Sequence, residues 1–404
     1  MKPTRQLSLP EFIVLMAAIF AVLAFSIDAM LPAFPKIAAE LSPDAPNKAQ
    51  LVLTFFVLGM GLGTVFTGPL SDAFGRKTII TMGLGIYVIG AGLAYISQSL
   101  EVMLAARVLQ GIGAAAPRTV PMAMMRDLYS GRRMAQIMSF VMTIFMLVPA
   151  VAPAIGSLII NAAGWRAIFA AFIIIAVFVG LWLNLRQPET LPADKRRPLD
   201  FTSLKTAAQE VLSNRLVLIY IAVLTLGFAQ MFAAISSIQQ VYDITYDKAD
   251  AFPAWFAVTA LLALTGTLVN AALVMTVGMR KLAMWAYGAQ TLLSLCFVLV
   301  MVLGLAPIQD IFLIWFAWTI SIFFMAGLTF GNLNALALQP LGHIAGMASS
   351  LITAISTVAS VVIAAPIGLA FNGTPLPLLI GTFLCSGLAF LLMRRTTEEV
   401  LQET

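Results

Sequence analysis

Three charged side chains, Asp28, Arg107 and Arg118, stand inside long apolar stretches of this chain. A carboxyl in such surroundings can bind and release a proton or recognise a cation. Two opposed influences set its proton affinity, removal from water and the field of a nearby guanidinium. That opposition leaves the group easy to switch, so Asp28 with Arg107 reads as a proton-exchange and cation-recognition pair. The alternative is a static ion pair that only fixes the packing of two helices. Gln110, three residues after Arg107, extends the same polar stripe. Arg118 follows Arg107 by eleven residues, nearly on the same helix face and ~16 Å further along. It either lines a cavity or snorkels to an interface as an anchor.

A second polar group sits in two later apolar runs. Gln230, Ser236, Ser237 and Gln239 share one; Ser321, Asn332 and Asn334 share the other, with Phe228, Phe232, Phe323 and Phe324 nearby. Gln230, Phe232 and Asn332 are candidates for a cavity wall. The alternative is that such polar groups bond neighbouring helices to one another. Other chemistry is absent. The single histidine, His343, excludes an HExxH motif and any multi-histidine metal site, and no GxxxxGK[ST] loop occurs. Cys296 and Cys385 read as buried thiols, with no CxxC pattern. Neither an enzyme nor an ATP-driven pump is expected.

The elements that position these residues follow from composition. Hydrophobic residues make up 61% of the 404 and charged residues 10%, against about 45–50% and about 25% in soluble domains. Lipid must cover that apolar surface. The net charge of +5 offers no basic face for nucleic acid, because the charges are too few. Twelve apolar runs are long enough to cross a bilayer, roughly 11–31, 49–71, 78–98, 101–122, 134–160, 167–186, 216–241, 254–277, 282–304, 311–338, 347–371 and 375–393. The first, preceded by Lys2 and Arg5, reads as a retained helix rather than a cleaved leader. With the N-terminus inside, seventeen of the 23 Lys and Arg fall on the cytoplasmic side and four on the outer side, so both termini are expected inside. Asp28 then lies near the outer end of the first run, and Arg107 ~9 Å below the same surface in the fourth.

The longest polar stretch, 187–215, holds Lys195-Arg196-Arg197 and reads as a solvated cytoplasmic linker. It divides the chain into an N-terminal six-helix bundle, 1–186, and a C-terminal one, 216–404. A shift of 203 residues superposes Gly63-Thr64 on Gly266-Thr267, Leu70 on Leu273 and Gly75 on Gly278, and brings Arg76-Lys77 close to Arg280-Lys281. Such a repeat is expected of two homologous bundles. Gly59/Gly63 and Gly327/Gly331 have the spacing of close helix packing. Gly59-Met60-Gly61-Leu62-Gly63 is no nucleotide fingerprint, because no strand precedes it.

Several segments carry a family resemblance. Gly68-Pro69-Leu70-Ser71-Asp72-Ala73-Phe74-Gly75-Arg76-Lys77 closely resembles the signature of the major facilitator superfamily between its second and third helices. Arg107-Val108-Leu109-Gln110-Gly111-Ile112-Gly113 is similar to a second signature of that family. Pro149-Ala150-Val151-Ala152-Pro153-Ala154-Ile155-Gly156 resembles the antiporter motif of its drug exporters, with Ala152 and Ser157 in place of two glycines. Asp28-Ala29-Met30-Leu31-Pro32 and Gly342-His343-Ile344-Ala345-Gly346-Met347-Ala348-Ser349-Ser350 resemble the bicyclomycin and chloramphenicol resistance subfamily.

The resemblance implies an all-α fold of twelve membrane helices in two bundles. It implies proton-coupled antiport of small, often hydrophobic compounds across the bacterial inner membrane by alternating access, hence multidrug efflux. The partners would be substrate, protons and lipid; the protein would act as a monomer with no cofactor beyond the proton motive force. Asp72 would latch the two bundles at the cytoplasmic face, aided by the helix dipole opposite it. Gly75 belongs to this gate, and Arg76 would pair with an acid near the inner end of the fourth helix, for which Asp127 is the candidate. Pro149, Pro153 and Gly156 would bend or thin the fifth helix at the bundle interface. Two alternatives stay open, a proton-coupled exporter of an endogenous metabolite such as an amino acid or metallophore, and an uncoupled facilitator.

Overall fold

The computed structural model of the chain describes residues 7–402; Lys2 and Arg5 of the orientation argument lie outside them. Among the described residues every regular element is helical. Ten helical stretches are long and apolar enough to cross a membrane, and the longest, Ile308–Leu369, contains two helices. The elements are α1 (Leu9–Asp28), α2 (Phe34–Leu41), α3 (Leu51–Phe74), α4 (Arg76–Ile96), α5 (Leu100–Leu128), α6 (Gly131–Ala163), α7 (Ala167–Arg186), α8 (Phe201–Ser213), α9 (Arg215–Gln240), α10 (Phe252–Val277), α11 (Met279–Val302), α12 (Phe312–Leu338), α13 (Ala345–Leu369) and α14 (Leu376–Gln402). α5 is not among the ten stretches: Arg107, Gln110, Arg118 and Thr119 dilute its apolar run.

Three boundaries differ from the sequence expectation, each for a local reason. The first run does not continue to 31. Pro32 and Pro35 lack the N–H groups that would bond the carbonyls four residues earlier, so α1 stops at Asp28, a short 3₁₀ turn covers Leu31–Ala33, and α2 restarts at Phe34. The fourth run extends well past 122, and Asp127 is helical. The stretch 187–215 is not plain coil, because it contains α8. Ala207 and Val211, four residues apart on one face, are buried. Asp200 caps this helix by accepting from the Thr202 N–H at 2.8 Å and the Ser203 hydroxyl at 2.5 Å. Those bonds, the Ser203 hydroxyl foremost, hold the Asp200 carboxyl below the usual range.

The chain forms two compact units. The first comprises residues up to Asp44 and Phe55–Lys205; the second comprises Ala45–Thr54 and residues from Thr206 onward. In the first, α5 is held between α3 and α4 by glycines. A Cβ on Gly59 would stand 2.1 Å from the Val108 carbonyl oxygen, and one on Gly111 2.1 Å from that of Phe56. On the opposite side, a Cβ on Gly113 would stand 2.3 Å from the Tyr87 nitrogen, and one on Gly90 2.4 Å from the Gln110 nitrogen. Gly111 and Gly113 are two residues apart, about 200° around a helix, so the pair serves both neighbours. Close approach of this kind takes the place of hydrophobic driving force inside lipid.

The second unit repeats parts of this design. Gly266, the counterpart of Gly63 in the 203-residue shift, lies against α12, where a Cβ would stand 2.4 Å from the Phe324 carbonyl oxygen. Gly63 itself lies against Ile112 of α5. Gly75 (φ +101°) and Gly278 (φ +86°) occupy matching junctions, α3 to α4 and α10 to α11. Both have a backbone conformation that a side chain would strain.

Candidate functional site

Asp28 is the last residue of α1, only 6% exposed. Among the described residues no hydrogen bond or ion pair engages its carboxyl. Two residues earlier, the Ser26 hydroxyl donates to the Val22 carbonyl at 2.5 Å and shares a second 2.5 Å hydrogen bond with the Tyr87 hydroxyl of α4.

Arg107 is fully buried, and it does not pair with Asp28. Its guanidinium donates to Gln110 Oε1 at 2.7 Å and to the Ser26 carbonyl at 3.3 Å. The Phe56 ring lies 4.2 Å beneath it and Phe169 at 5.9 Å. The expected Asp28–Arg107 pair is therefore corrected to an Arg107–Gln110 pair that reaches α1 through its main chain. Compatible depth was not enough: Ser26 and Asp28 lie about 200° apart around α1. Arg107 and Gln110 share one face, as their spacing of three requires. Arg118 is half-buried, and its Nη1 is buried with no hydrogen-bond partner among the described residues.

The α6 motif meets Asp28 from another direction. Pro149 and Pro153 lie within a continuous α6. A Cβ on Gly156 would stand 2.2 Å from the Ala29 carbonyl oxygen, so Gly156 lets α6 touch the backbone directly after Asp28. Gly156 thus fixes a contact inside the first unit.

The α3–α4 junction gathers the second set of expected residues. Arg76 Nε donates to Asp127 Oδ2 at 3.0 Å, as the resemblance implied, and Arg76 Nη1 bonds both Asp72 and the Ser71 hydroxyl. Asp72 is the more exposed acid, its side chain 43% accessible against 18% for Asp127. Sequence reasoning missed the other half of this cluster. The Glu189 carboxylate accepts from the backbone N–H of Arg76 at 3.0 Å and of Lys77 at 3.1 Å, capping α4 from across the unit. Thr190 donates to Asp127 at 3.0 Å, and the Arg197 N–H to the Asp72 carbonyl at 3.1 Å. Lys77 Nζ satisfies the carbonyls of Asn184 and Gln187 at the end of α7. Gly75 is needed here because a Cβ would stand 2.6 Å from Glu189 Oε2. The only signal in the sequence was an acid just after the sixth run. Glu189→Ala is expected to lower stability by about 1 kcal/mol, the value of a lost helix cap, measured by thermal unfolding of the purified protein.

The cavity candidates of the second unit are placed differently from the expectation. Gln230 is fully buried and accepts from the Ser386 hydroxyl of α14 at 2.7 Å. Asn332 donates to Asn270 Oδ1 of α10 at 2.7 Å and to the Leu328 carbonyl at 2.8 Å. Phe232 is buried, its ring 6.1 Å from that of Phe228. Gln230 and Asn332 tie helices together, as polar groups in an apolar medium do when a partner is within reach. A polar cluster not anticipated from sequence joins residues 45–54 to α9 and α13. Gln50 donates to Gln240 and accepts from Ser237 at 3.2 Å, and Asn47 donates to the Phe371 carbonyl at 2.7 Å.

Comparison with known proteins agrees with this architecture. The profile of the Major Facilitator Superfamily matches residues 14–364. The uncharacterised MFS-type transporter YdgK of Bacillus subtilis is 31% identical over 333 residues, 81% of each chain. The bicyclomycin resistance protein homolog of Haemophilus influenzae is 30% identical over 332 residues, again 81% of each. Multidrug resistance protein D of Escherichia coli is 26% identical, covering 90% of this chain and 89% of its own. Among solved structures, the partially occluded inward open xylose transporter XylE of E. coli superposes with a TM-score of 0.75 at 12% identity, covering 96% of this chain and 99% of that one. At that identity the likeness speaks for the fold. A carboxyl and two arginines inside apolar helices, glycine-sandwiched α5 and a profile spanning most of the residues lead to one conclusion: the chain belongs to the Major Facilitator Superfamily, as a multi-pass transporter of the bacterial inner membrane and not an enzyme.

Proposed function

We propose that this transporter exports small, often hydrophobic compounds in exchange for protons, through twelve membrane helices with both termini in the cytoplasm. Asp28 carries the reading. It is an acid at the end of a membrane helix, shielded from water and held by no hydrogen bond or ion pair among the described residues. Acids in that setting are expensive to keep and are retained for ion or proton pathways. The names of two relatives, a bicyclomycin resistance protein homolog and a multidrug resistance protein, favour drug-like cargo. In this reading Asp28 exchanges the proton and Arg107 with Gln110 holds α1 against α5 while it does so. The Asp72, Gly75, Arg76 and Asp127 cluster serves as the cytoplasmic gate, and the proton motive force is the energy source.

The test is transport by purified protein in liposomes. An imposed pH gradient is expected to drive accumulation of a hydrophobic dye from a substrate panel, and a protonophore to collapse it. Equal flux with and without the gradient overturns proton coupling and leaves a facilitator.

A further inference from the structure

Arg107 and Arg118 lie eleven residues apart on nearly the same face of α5, yet only Arg107 is compensated by groups of the protein described above. The surroundings of Arg118 explain the difference. One turn to either side on its own helix stand Ala114, Ala115, Pro121 and Met122, none with a charge or a strong acceptor side chain. α1 offers nothing at this depth. Its stretch from Phe12, whose ring lies 5.5 Å from that of Tyr129 at the far end of α5, to Phe25 is wholly apolar. On α3 the Thr64 and Thr67 hydroxyls are spent on carbonyls of their own helix at 2.7 and 3.1 Å. On α4 Thr81 donates to the Lys77 carbonyl at 2.8 Å.

Acids at the same end of the unit are engaged elsewhere. Asp127 is held by Arg76 and Thr190, and stands nine residues along α5, ~13 Å away. Glu11 is bound by Arg186 and Trp182. An arginine keeps its charge in proteins, and a charge removed from water without a partner is strongly unfavourable. Nη1 of Arg118 is buried without a partner, while the side chain as a whole remains partly accessible. The accessible side of the guanidinium is thus open to a partner from outside the protein, and negative oxygens match it best.

We infer that Arg118 is the binding group for the carboxylate, sulfonate or phosphate of an anionic small molecule. This rests on the transport reading in that the anion is cargo, and it makes Arg118 a specificity-determining residue distinct from the proton site. A guanidinium and such an anion form a charge-assisted, bidentate pair that a neutral isostere cannot match.

The experiment compares naphthalene-2-carboxylate with its neutral carboxamide, by equilibrium dialysis against the purified full chain in detergent. The wild type is expected to bind the carboxylate about tenfold more tightly, the value of one hydrogen bond to a charged group. Arg118→Gln should abolish that preference while the carboxamide affinity stays as it was, and Arg118→Lys should keep part of it. Asp28→Asn should retain the preference, so failure of proton coupling and failure of this inference read out separately. In nanodiscs, loss of the wild-type preference on adding phosphatidylglycerol to phosphatidylcholine identifies a lipid phosphate as the anion Arg118 holds. Retention under the same addition identifies the free small molecule. A wild type without carboxylate preference, or an Arg118→Gln variant that keeps it in full, overturns the inference.

Discussion

Asp28→Asn is expected to abolish gradient-driven transport while leaving the fold and its stability essentially intact. The substitution preserves shape and removes the group that takes up and releases a proton. Stability should not suffer, because the carboxyl has no hydrogen bond or ion pair to lose among the described residues, and a buried ionised group carries a desolvation cost that the amide avoids. Residual downhill exchange of substrate is compatible with this outcome, since binding and helix movement do not need the proton. The measurement is dye accumulation in liposomes under an imposed pH gradient, beside thermal unfolding of the same preparation. Full accumulation by the variant would remove Asp28 from the coupling mechanism. Loss of accumulation together with a collapsed melting temperature would show a structural role instead.

The second large effect is expected at the glycines that flank α5. Gly113→Ala places a methyl group 2.3 Å from the Tyr87 backbone nitrogen and 2.6 Å from the Gly83 carbonyl oxygen; Gly111→Ala places one 2.1 Å from the Phe56 carbonyl oxygen. The obstacles are backbone atoms of neighbouring helices, so no side chain can swing away, and a whole helix must move. Overpacking of a rigid core typically costs about 1–3 kcal/mol, and these sites belong at or above the top of that range. Gly92→Ala on α4 is the internal control, with nothing within 4 Å of its Cβ position. There the change should be neutral or stabilising by roughly 0.5–1 kcal/mol, because alanine loses less conformational freedom in a helix than glycine does. Melting temperatures of the three variants in one detergent decide the matter. Gly111→Ala and Gly113→Ala unfolding no earlier than Gly92→Ala would mean that α3, α4 and α5 are not packed backbone to backbone.

These two cases differ in what could be foreseen. Composition determined that the chain is membrane-embedded, because 61% hydrophobic residues admit no aqueous solution, and apolar runs of about twenty residues determined that it is helical. Local spacing put Arg107 and Gln110 on one polar stripe; the place of Gly75 and the Arg76–Asp127 pair, 51 residues apart, came through family resemblance. The stripe rests on short-range helix geometry, and the gate on a motif. Tertiary structure alone decided who faces whom between helices far apart in sequence. Depth can be counted along a helix, but azimuth cannot, so Asp28 and Arg107 looked like partners until α1 presented Ser26 to the guanidinium. The same uncertainty hid the Glu189 cap, contributed from 113 residues beyond Arg76. Gln230 and Asn332 turned out to bond α14 and α10, because a polar side chain in an apolar medium takes whichever partner the packing brings within reach, and only packing specifies that partner.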